Sequence, residues 1–300
     1  MFENIISTAE SFGCVCERNA DMSRYTTFRT GGPAELIVKP NSVDSLSAIL
    51  KAIKAEGIKP LVLGRGSNVL APDEGIKGVV IVLGEDFGKI EYCGNNMIRA
   101  QAGASVIKLS KFALEYELSG LEFAYGIPGT VGGAIYMNAG AYGGEMKDVV
   151  MFVNHMDLDG NRGSWQSKNE LGLGYRHSNY MGSDLIITSV VFLLDKENPE
   201  AIKMKMDNYM ERRKLKQPLD FPSAGSTFKR PEGYFAGALI QECGLKGASV
   251  GGAQVSEKHA GFVINKGGAT SNDIKQLIEM VSEKVKLEKG VTLEPEVRIL

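Results

Sequence analysis

Gly126-Ile127-Pro128-Gly129-Thr130-Val131-Gly132-Gly133-Ala134, followed shortly by Asn138-Ala139-Gly140-Ala141-Tyr142-Gly143, is the stretch on which the reading of this chain turns. It holds too much glycine for a core helix or a core strand, and its apolar residues follow no clear period. As structure alone it is an irregular connection. As chemistry it suits close backbone approach to a large flat or phosphorylated ligand. A long glycine-rich loop inside a compact domain is more often functional than decorative.

Working outward, a second glycine loop, Gly64-Arg65-Gly66-Ser67-Asn68, directly follows an apolar run at 60–63. Glycines there let backbone N–H groups converge on an anion with no Cβ in the way. For one such pattern alone, a tight turn is the better reading. It is not the dinucleotide fingerprint of a Rossmann fold, which needs a helix opening at once behind the loop. Val69-Leu70-Ala71-Pro72 follows instead, and proline blocks an immediate long helix. Two glycine loops of neither Rossmann nor Walker type point to another nucleotide-cofactor fold.

The flanking segments alternate between strand and helix signals. A helix is expected over 5–12, a strand over 34–38, and a helix capped by Ser42 with Val43, Leu46, Ile49, Leu50 and Ile53 inside. Gly57 ends that helix, and strands at 60–63 and 79–83 complete a small βαβ unit. Next come a strand at 98–102 and a helix capped by Ser105. A hairpin arm at 148–158 turns at Asp159-Gly160, and 185–194 is strongly strand-like. A helix runs from Pro199 to about Lys216 and stops before Pro218. Met204, Met206 and Met210 read as its core. Trp165 reads as a hairpin residue. The last third predicts a helix at 234–243, short strands near Gln254 and Phe262, a helix from Ser271 and a final strand over 292–300. The Lys216–Pro222 region marks a boundary before a separate domain.

Composition excludes several classes. The chain has 300 residues, with 43% hydrophobic, 23% charged and a net charge of -2, ordinary for globular protein. That balance gives no broad basic face for nucleic acid. No apolar run approaches the roughly 20 residues that span a bilayer. The start lacks the pattern of a signal peptide, which places the protein in the cytoplasm. The four cysteines contain no CxxC and read as free thiols, and the three histidines are scattered, so no protein-held metal is expected.

Six motifs in order carry a resemblance: TTFRTGGPAEL (26–36), LGRGSNVL (63–70), GIPGTVGGAIYMNAGAYGGE (126–145), YRHS (175–178), SAGSTFKRP (223–231) and LEPEVRIL (293–300). Together they closely resemble the UDP-N-acetylenolpyruvoylglucosamine reductase family along essentially the whole chain. The resemblance implies an α+β fold: a two-lobed FAD-binding unit of the vanillyl-alcohol oxidase type, with lobes at 1–80 and 81–216. A small α/β substrate-binding domain at 217–300 follows, its C-terminal strand returning toward the FAD unit. It implies non-covalent FAD, NADPH as hydride donor, UDP-N-acetylglucosamine enolpyruvate as substrate, and a monomer that meets neither nucleic acid nor membrane. Gly64, Arg65, Gly66, Ser67 and Asn68 should hold the FAD pyrophosphate. Gly126, Ile127, Pro128, Gly129, Thr130, Gly132, Gly133, Asn138, Ala139 and Gly140 should line the flavin and adenosine. One subtype of the family carries an extra tyrosine-bearing loop after YRxS. The short segment from Arg176 to Leu185 leaves no room for it, so no tyrosine lid is assigned.

The same resemblance assigns chemistry. Ser226 matches the family's proton donor, although a loop serine would otherwise be read as capping a turn. Arg176 matches the arginine that stabilises the intermediate, where its planar fork suits a carboxylate or enolate. Alone, YRHS reads equally as a surface arginine. Glu296 matches the catalytic glutamate, while Glu294, two residues away, reads equally as a structural ion-pair partner. Arg212, Arg213, Lys214 and Lys216 cluster at a helix end, where favouring the macrodipole is as good a reading as phosphate binding. Lys214 is the best single diphosphate candidate, with Arg230, Tyr175 and His259 as further substrate candidates. Tyr125, Tyr142 and Tyr175 either line the flavin or simply pack. The enzyme alternative is an FAD-dependent oxidase of the same fold. Neither glycine motif holds a histidine to tether FAD, which weakens it. A binding protein without chemistry is opposed by the joint presence of Arg176, Ser226 and Glu296.

Overall fold

Helix Val43–Ala55 shows how local sequence sets an element. The Ser45 amide donates to the Ser42 hydroxyl at 3.1 Å and the Ser42 amide to the Ser45 hydroxyl at 3.0 Å, a reciprocal box. Leu46, Ile49, Leu50 and Ile53 form its buried face. Gly57, at φ 69, takes the left-handed turn that ends it. The Ser105 hydroxyl caps helix Val106–Glu115 by accepting from the Lys108 amide, without a reciprocal bond.

The computed structural model describes residues 2–300, apart from the Lys168 side chain. The chain forms two compact units, each assembled from three segments. The first holds the N-terminal segment to Arg18, Leu36–Arg65 and Gly78–Glu211; the second holds Asn19–Glu35, Gly66–Lys77 and Arg212–Leu300. No helix among the described residues is long and apolar enough to cross a membrane.

The first unit is organised on a five-stranded antiparallel sheet. Its order is Arg162–Trp165, Val150–Met156, Ile186–Leu193, Met97–Gln101, Ile90–Gly94. The central strand Ile186–Leu193 is buried along nearly its whole length, so it reads as an apolar run without alternation. A four-stranded sheet has the order Val15–Asp21, Pro33–Lys39, Ile76–Val82, Leu61–Leu63. Strand Ile76–Val82 therefore lies between the two strands that helix Val43–Ala55 connects, so the opening βαβ crossover skips one strand. One apolar cluster runs from Phe2 and Ile5 through Leu46, Ile81, Ile98 and Leu109 to Val190 and Phe192.

Three segments make the second unit. Ser271 Oγ donates to Ala71 O at 2.5 Å and lies 2.9 Å from Thr30 Oγ1. The Asp73 carboxylate accepts from the Ser271 and Asn272 amides, both at 2.8 Å, at the start of helix Ser271–Lys289. That helix packs Ile274, Leu277, Ile278, Val281 and Val285 into a core with Phe28, Ile240 and Val263. A three-stranded antiparallel sheet, Ser249–Val250, Ala253–Val255 and Val263–Asn265, completes it.

Several expectations need correction. The glycine-rich stretch contains a helix, Val131–Tyr136, capped by the Thr130 hydroxyl; its two glycines hide the helical pattern. The final strand shrinks to Arg298–Ile299, which pairs in parallel with Val69–Leu70. Before it, Phe228 and Pro295 form an isolated antiparallel bridge. They are the non-hydrogen-bonded pair, so the missing proline N–H is not needed there. Strand Val15–Asp21 had no clear sequence signal. Met206 is buried but Met204 is 70% exposed, because two residues is more than half a helical turn. Trp165 packs on buried Tyr180 at 4.5 Å and on His155 at 5.1 Å.

Candidate active site

Arg176 sits at the tip of a tight turn in the first unit. Gly174 and His177 exchange both backbone hydrogen bonds, at 3.1 and 3.2 Å, leaving Tyr175 and Arg176 as the tip. Arg176 has φ 51, in the left-handed region. Its guanidinium lies 5.0 Å from the exposed Tyr175 ring, and Nη2 is 3.4 Å from Gly140 O. The Ser178 hydroxyl ties the turn to Tyr136 O at 2.7 Å. Fully buried Asn138 ties it again: Nδ2 donates to Gly174 O at 2.8 Å and to Glu145 Oε2 at 3.0 Å, and Oδ1 accepts from the Lys147 amide at 2.9 Å.

Residue Glu145, at the end of the glycine-rich stretch, belongs to this cluster. Burial pushes its carboxyl up, but hydrogen bonds from Lys147 and Asn138 and the charges of Lys147 and Arg176 outweigh burial and hold it below its ordinary value. The carboxylate is therefore ionised beside Arg176. A glutamate two residues beyond the last NAGAYG residue was legible in sequence, but nothing local marked it as paired.

The glycine motifs have distinct uses. A Cβ on Gly64 would fall 2.1 Å from Thr130 Oγ1, so glycine lets the two loops meet. At the start of helix Val131–Tyr136, the Val131 amide donates to Ala104 O and the Gly132 amide to Ala102 O, both at 2.8 Å. The Gly133 amide donates to Thr130 Oγ1 at 3.4 Å. These three amides are engaged within the protein, so this segment offers a ligand its surface and side chains rather than the helix-end N–H groups. Gly126, at φ 106, makes the turn ahead of Ile127-Pro128-Gly129. Ala139 precedes, and Gly140 opens, a short pair of bridged segments, Gly140–Ala141 with Gly144–Glu145. Tyr142 stacks on Tyr209 at 4.6 Å and 4°, so its ring is used in packing.

In the second unit, Gly66 O accepts from the Thr27 amide at 3.1 Å and Asn68 O from the Arg298 amide at 3.0 Å. A trans peptide sets C=O and N–H on opposite sides, so the Ser67 and Val69 amides point away from those partners. A Cβ on Gly66, at φ 62, would fall 2.0 Å from Tyr25 O. Carbonyls turned inward and an amide turned out form the chemistry of an anion cradle, which fits a pyrophosphate. Arg65 is exposed. The Asn68 side chain is turned toward the C-terminal segment, where its Nδ2 donates to Glu296 O at 3.1 Å.

The segments that carry Ser226 and Glu296 meet in this unit. The Thr227 amide donates to Gly261 O and the Glu296 amide to Thr227 O, both at 2.8 Å, while the Val263 amide donates to buried Thr227 Oγ1 at 2.9 Å. Thr227 is thus a fixed bracket between exposed Ser226 and half-buried Glu296. Gly225, at φ 77, makes the bend before Ser226. Glu294 is the ion-pair partner of Lys229. His259 supports the bracket, since its Nδ1 accepts from the Gly261 amide at 3.1 Å and its ring meets Phe262 at 5.0 Å. Burial, aided by the charges of Lys246 and Lys216, pushes its pKa down, so the ring is neutral near pH 7.

Of the cationic candidates, Lys214 is exposed and its carbonyl accepts from Lys258 Nζ at 2.6 Å. Arg230 lies over the Phe235 ring at 3.9 Å. Arg213, which sequence alone leaves inside the basic cluster, is buried, and its Nη1 donates to Gln217 Oε1 at 3.4 Å. Its burial could not be read from four neighbouring basic positions. Among the described residues no group of three or more His, Cys, Asp or Glu side chains could hold a metal ion.

Comparison with known proteins extends this geometry. Residues 34–162 match the family model described as FAD binding domain. Residues 217–300 match the C-terminal domain of UDP-N-acetylenolpyruvoylglucosamine reductase. The UDP-N-acetylenolpyruvoylglucosamine reductase of Syntrophomonas wolfei is 47% identical over 282 residues, covering 94% of each chain. That of Clostridioides difficile is 49% identical over 280 residues, 93% of this chain and 91% of the relative. The crystal structure of the corresponding reductase from Thermus caldophilus superposes with a TM-score of 0.82 at 36% identity, covering 95% of this chain and 99% of that one. The expected α+β class, an FAD-binding unit followed by a smaller domain, therefore holds. With both family models matched and relatives aligned along nearly its whole length, this chain belongs to the UDP-N-acetylenolpyruvoylglucosamine reductase family.

Proposed function

We propose that this chain reduces UDP-N-acetylglucosamine enolpyruvate to UDP-N-acetylmuramate, with NADPH as the hydride donor and non-covalent FAD between them. The observation that carries this reading is the Thr227 bracket, which joins the loop of Ser226 to the segment of Glu296 in the region that matches the family's C-terminal domain. Bound FAD would supply the hydride chemistry that links NADPH to the enolpyruvyl double bond. Negative charge then develops on the neighbouring carbon and its carboxylate. Arg176 and Glu296 stabilise this enolate-like intermediate. Ser226 supplies the proton through its exposed hydroxyl. The outward-turned amides of Ser67 and Val69, freed by the inward-turned carbonyls of Gly66 and Asn68, present the pyrophosphate cradle. Lys214, Tyr175 and Arg230 are assigned to the substrate and its diphosphate, and His259 to the support of the Ser226 loop. In this reading residues 1–216 serve FAD and residues 217–300 the substrate, in a cytoplasmic monomer.

Anaerobic visible spectra test it. The flavin spectrum of the purified holoprotein should bleach with NADPH and return when UDP-N-acetylglucosamine enolpyruvate is added. A flavin that bleaches but stays reduced with that substrate would remove the substrate assignment. Rapid peroxide formation with a simple alcohol would favour an oxidase instead.

A further inference from the structure

We propose that Asn138 is a positioning residue for Arg176, clamping the glycine-rich loop to the turn that carries the guanidinium. Its side chain is 0% exposed, and its hydrogen bonds run to Gly174, Glu145 and Lys147 of the protein itself. Both amide hydrogens are used: one on Gly174 O, the residue that opens the Arg176 turn, and one on Glu145, whose carboxylate feels the charge of Arg176. The Oδ1 atom fixes the Lys147 amide. An amide is the one small side chain with two donors and an acceptor in that arrangement. At φ 42 its backbone also occupies the left-handed region, which asparagine tolerates better than most residues. The turn itself is short, so a shift of Gly174 O moves the Arg176 tip two residues later. Small displacements of a positioned charge cost large factors in rate. The inference rests on Arg176 acting on the substrate.

Asn138→Asp in the FAD-loaded full chain tests it. The introduced carboxyl keeps the side-chain shape, the tolerance of positive φ and the acceptor for Lys147. When ionised it offers Gly174 O and Glu145 no hydrogen. Titratable and charged groups around it are Glu145, Lys147, Asp148 and Arg176. Reoxidation by substrate at pH 8–9 should slow on the order of tenfold or more. Two carboxyls at hydrogen-bond distance share a proton as pH falls, which removes their repulsion and restores one of the two lost donors. The loss relative to the parent should therefore shrink toward pH 6. In an Arg176→Ala background the substitution should add no further loss, since both act through one group.

Losses that multiply in the double variant, or a loss independent of pH, would overturn the proposal. So would normal reoxidation by Asn138→Asp alongside a slow Arg176→Ala. Normal reoxidation by Arg176→Ala would instead sink the role of Arg176, whatever Asn138→Asp does, and the clamp would lose its function with it. If Asn138→Asp fails to hold FAD, Ser178→Ala removes the turn's other tie, to Tyr136 O. A loss confined to reoxidation by substrate then supports the clamp, and equal losses in both half-reactions overturn it.

Discussion

Gly64→Ala is the perturbation for which the structure gives the clearest magnitude. Gly64 has no positive φ, so the backbone accepts alanine and the effect is purely one of space. The new Cβ would lie 2.1 Å from Thr130 Oγ1 and 3.2 Å from Thr130 Cβ and Cγ2. Non-bonded heavy atoms settle at about 3.5 Å, so the hydroxyl must move by about 1 Å or more. Overpacking of this kind costs about 1–3 kcal/mol. The displaced hydroxyl also leaves the Gly133 amide, and losing a cap costs about 1 kcal/mol. Gly64→Ala should therefore destabilise the first unit by about 2–4 kcal/mol. Thr130→Ala alone should cost about 1 kcal/mol, the lost cap. Together they should cost less than Gly64→Ala alone, about 1–2 kcal/mol, because the clashing oxygen is gone and only the 3.2 Å Cβ contact remains. The coupling is then about 2 kcal/mol. Urea unfolding followed by circular dichroism, with released flavin fluorescence as a second probe, measures all four corners of the cycle. Additivity within about 0.5 kcal/mol would refute the argument that Gly64 is glycine to admit Thr130.

Three further outcomes follow from the site. Ser226→Ala should retain FAD and be reduced by NADPH, yet fail to be reoxidised by the enolpyruvyl substrate; turnover at the parent rate would reassign the proton donor. Arg176→Ala should lose about a hundredfold or more in the same step, as for removal of an oxyanion-stabilising group, and stopped-flow flavin reoxidation reads it directly. His259 has a pKa depressed below its ordinary 6.5 by burial and nearby lysines. The unfolded chain then binds a proton that the folded one refuses, so its contribution is intact above about pH 6.5 and is lost as pH falls toward the folded pKa. His259→Asn, whose Oδ1 can take the Gly261 amide, should lose less stability between pH 7 and 5.5 than the parent in urea titrations. An equal loss would assign that acid sensitivity elsewhere, His155 being the next group, since burial lowers its pKa too.

Much of this protein was legible as a string. Ser42, Ser105 and Gly57 announced their helix ends, because a cap reads only three or four neighbours. The apolar spacing of Leu46, Ile49, Leu50 and Ile53, and of Ile274, Leu277, Ile278 and Val281, defined their buried faces for the same local reason. The six ordered motifs identified the family and its candidate residues. The helix Val131–Tyr136 was hidden because Gly132 and Gly133 lower helix propensity, while the packing of Gly132 against Ala102 requires it.

Sequence by itself determined the family, the helix ends and which side chains could do chemistry. Tertiary structure alone decided what those residues bind. It showed that Asn68 holds Glu296, that Asn138 holds the Arg176 turn, and that the amides of Val131, Gly132 and Gly133 are already engaged. It also decided that residues 19–35 and 66–77 join the C-terminal segment, through Thr30, Asp73 and Ser271. Hydrogen-bond partners so far apart along the chain leave no trace in local propensity or period, because a donor's choice among acceptors is made only when folding brings them within reach.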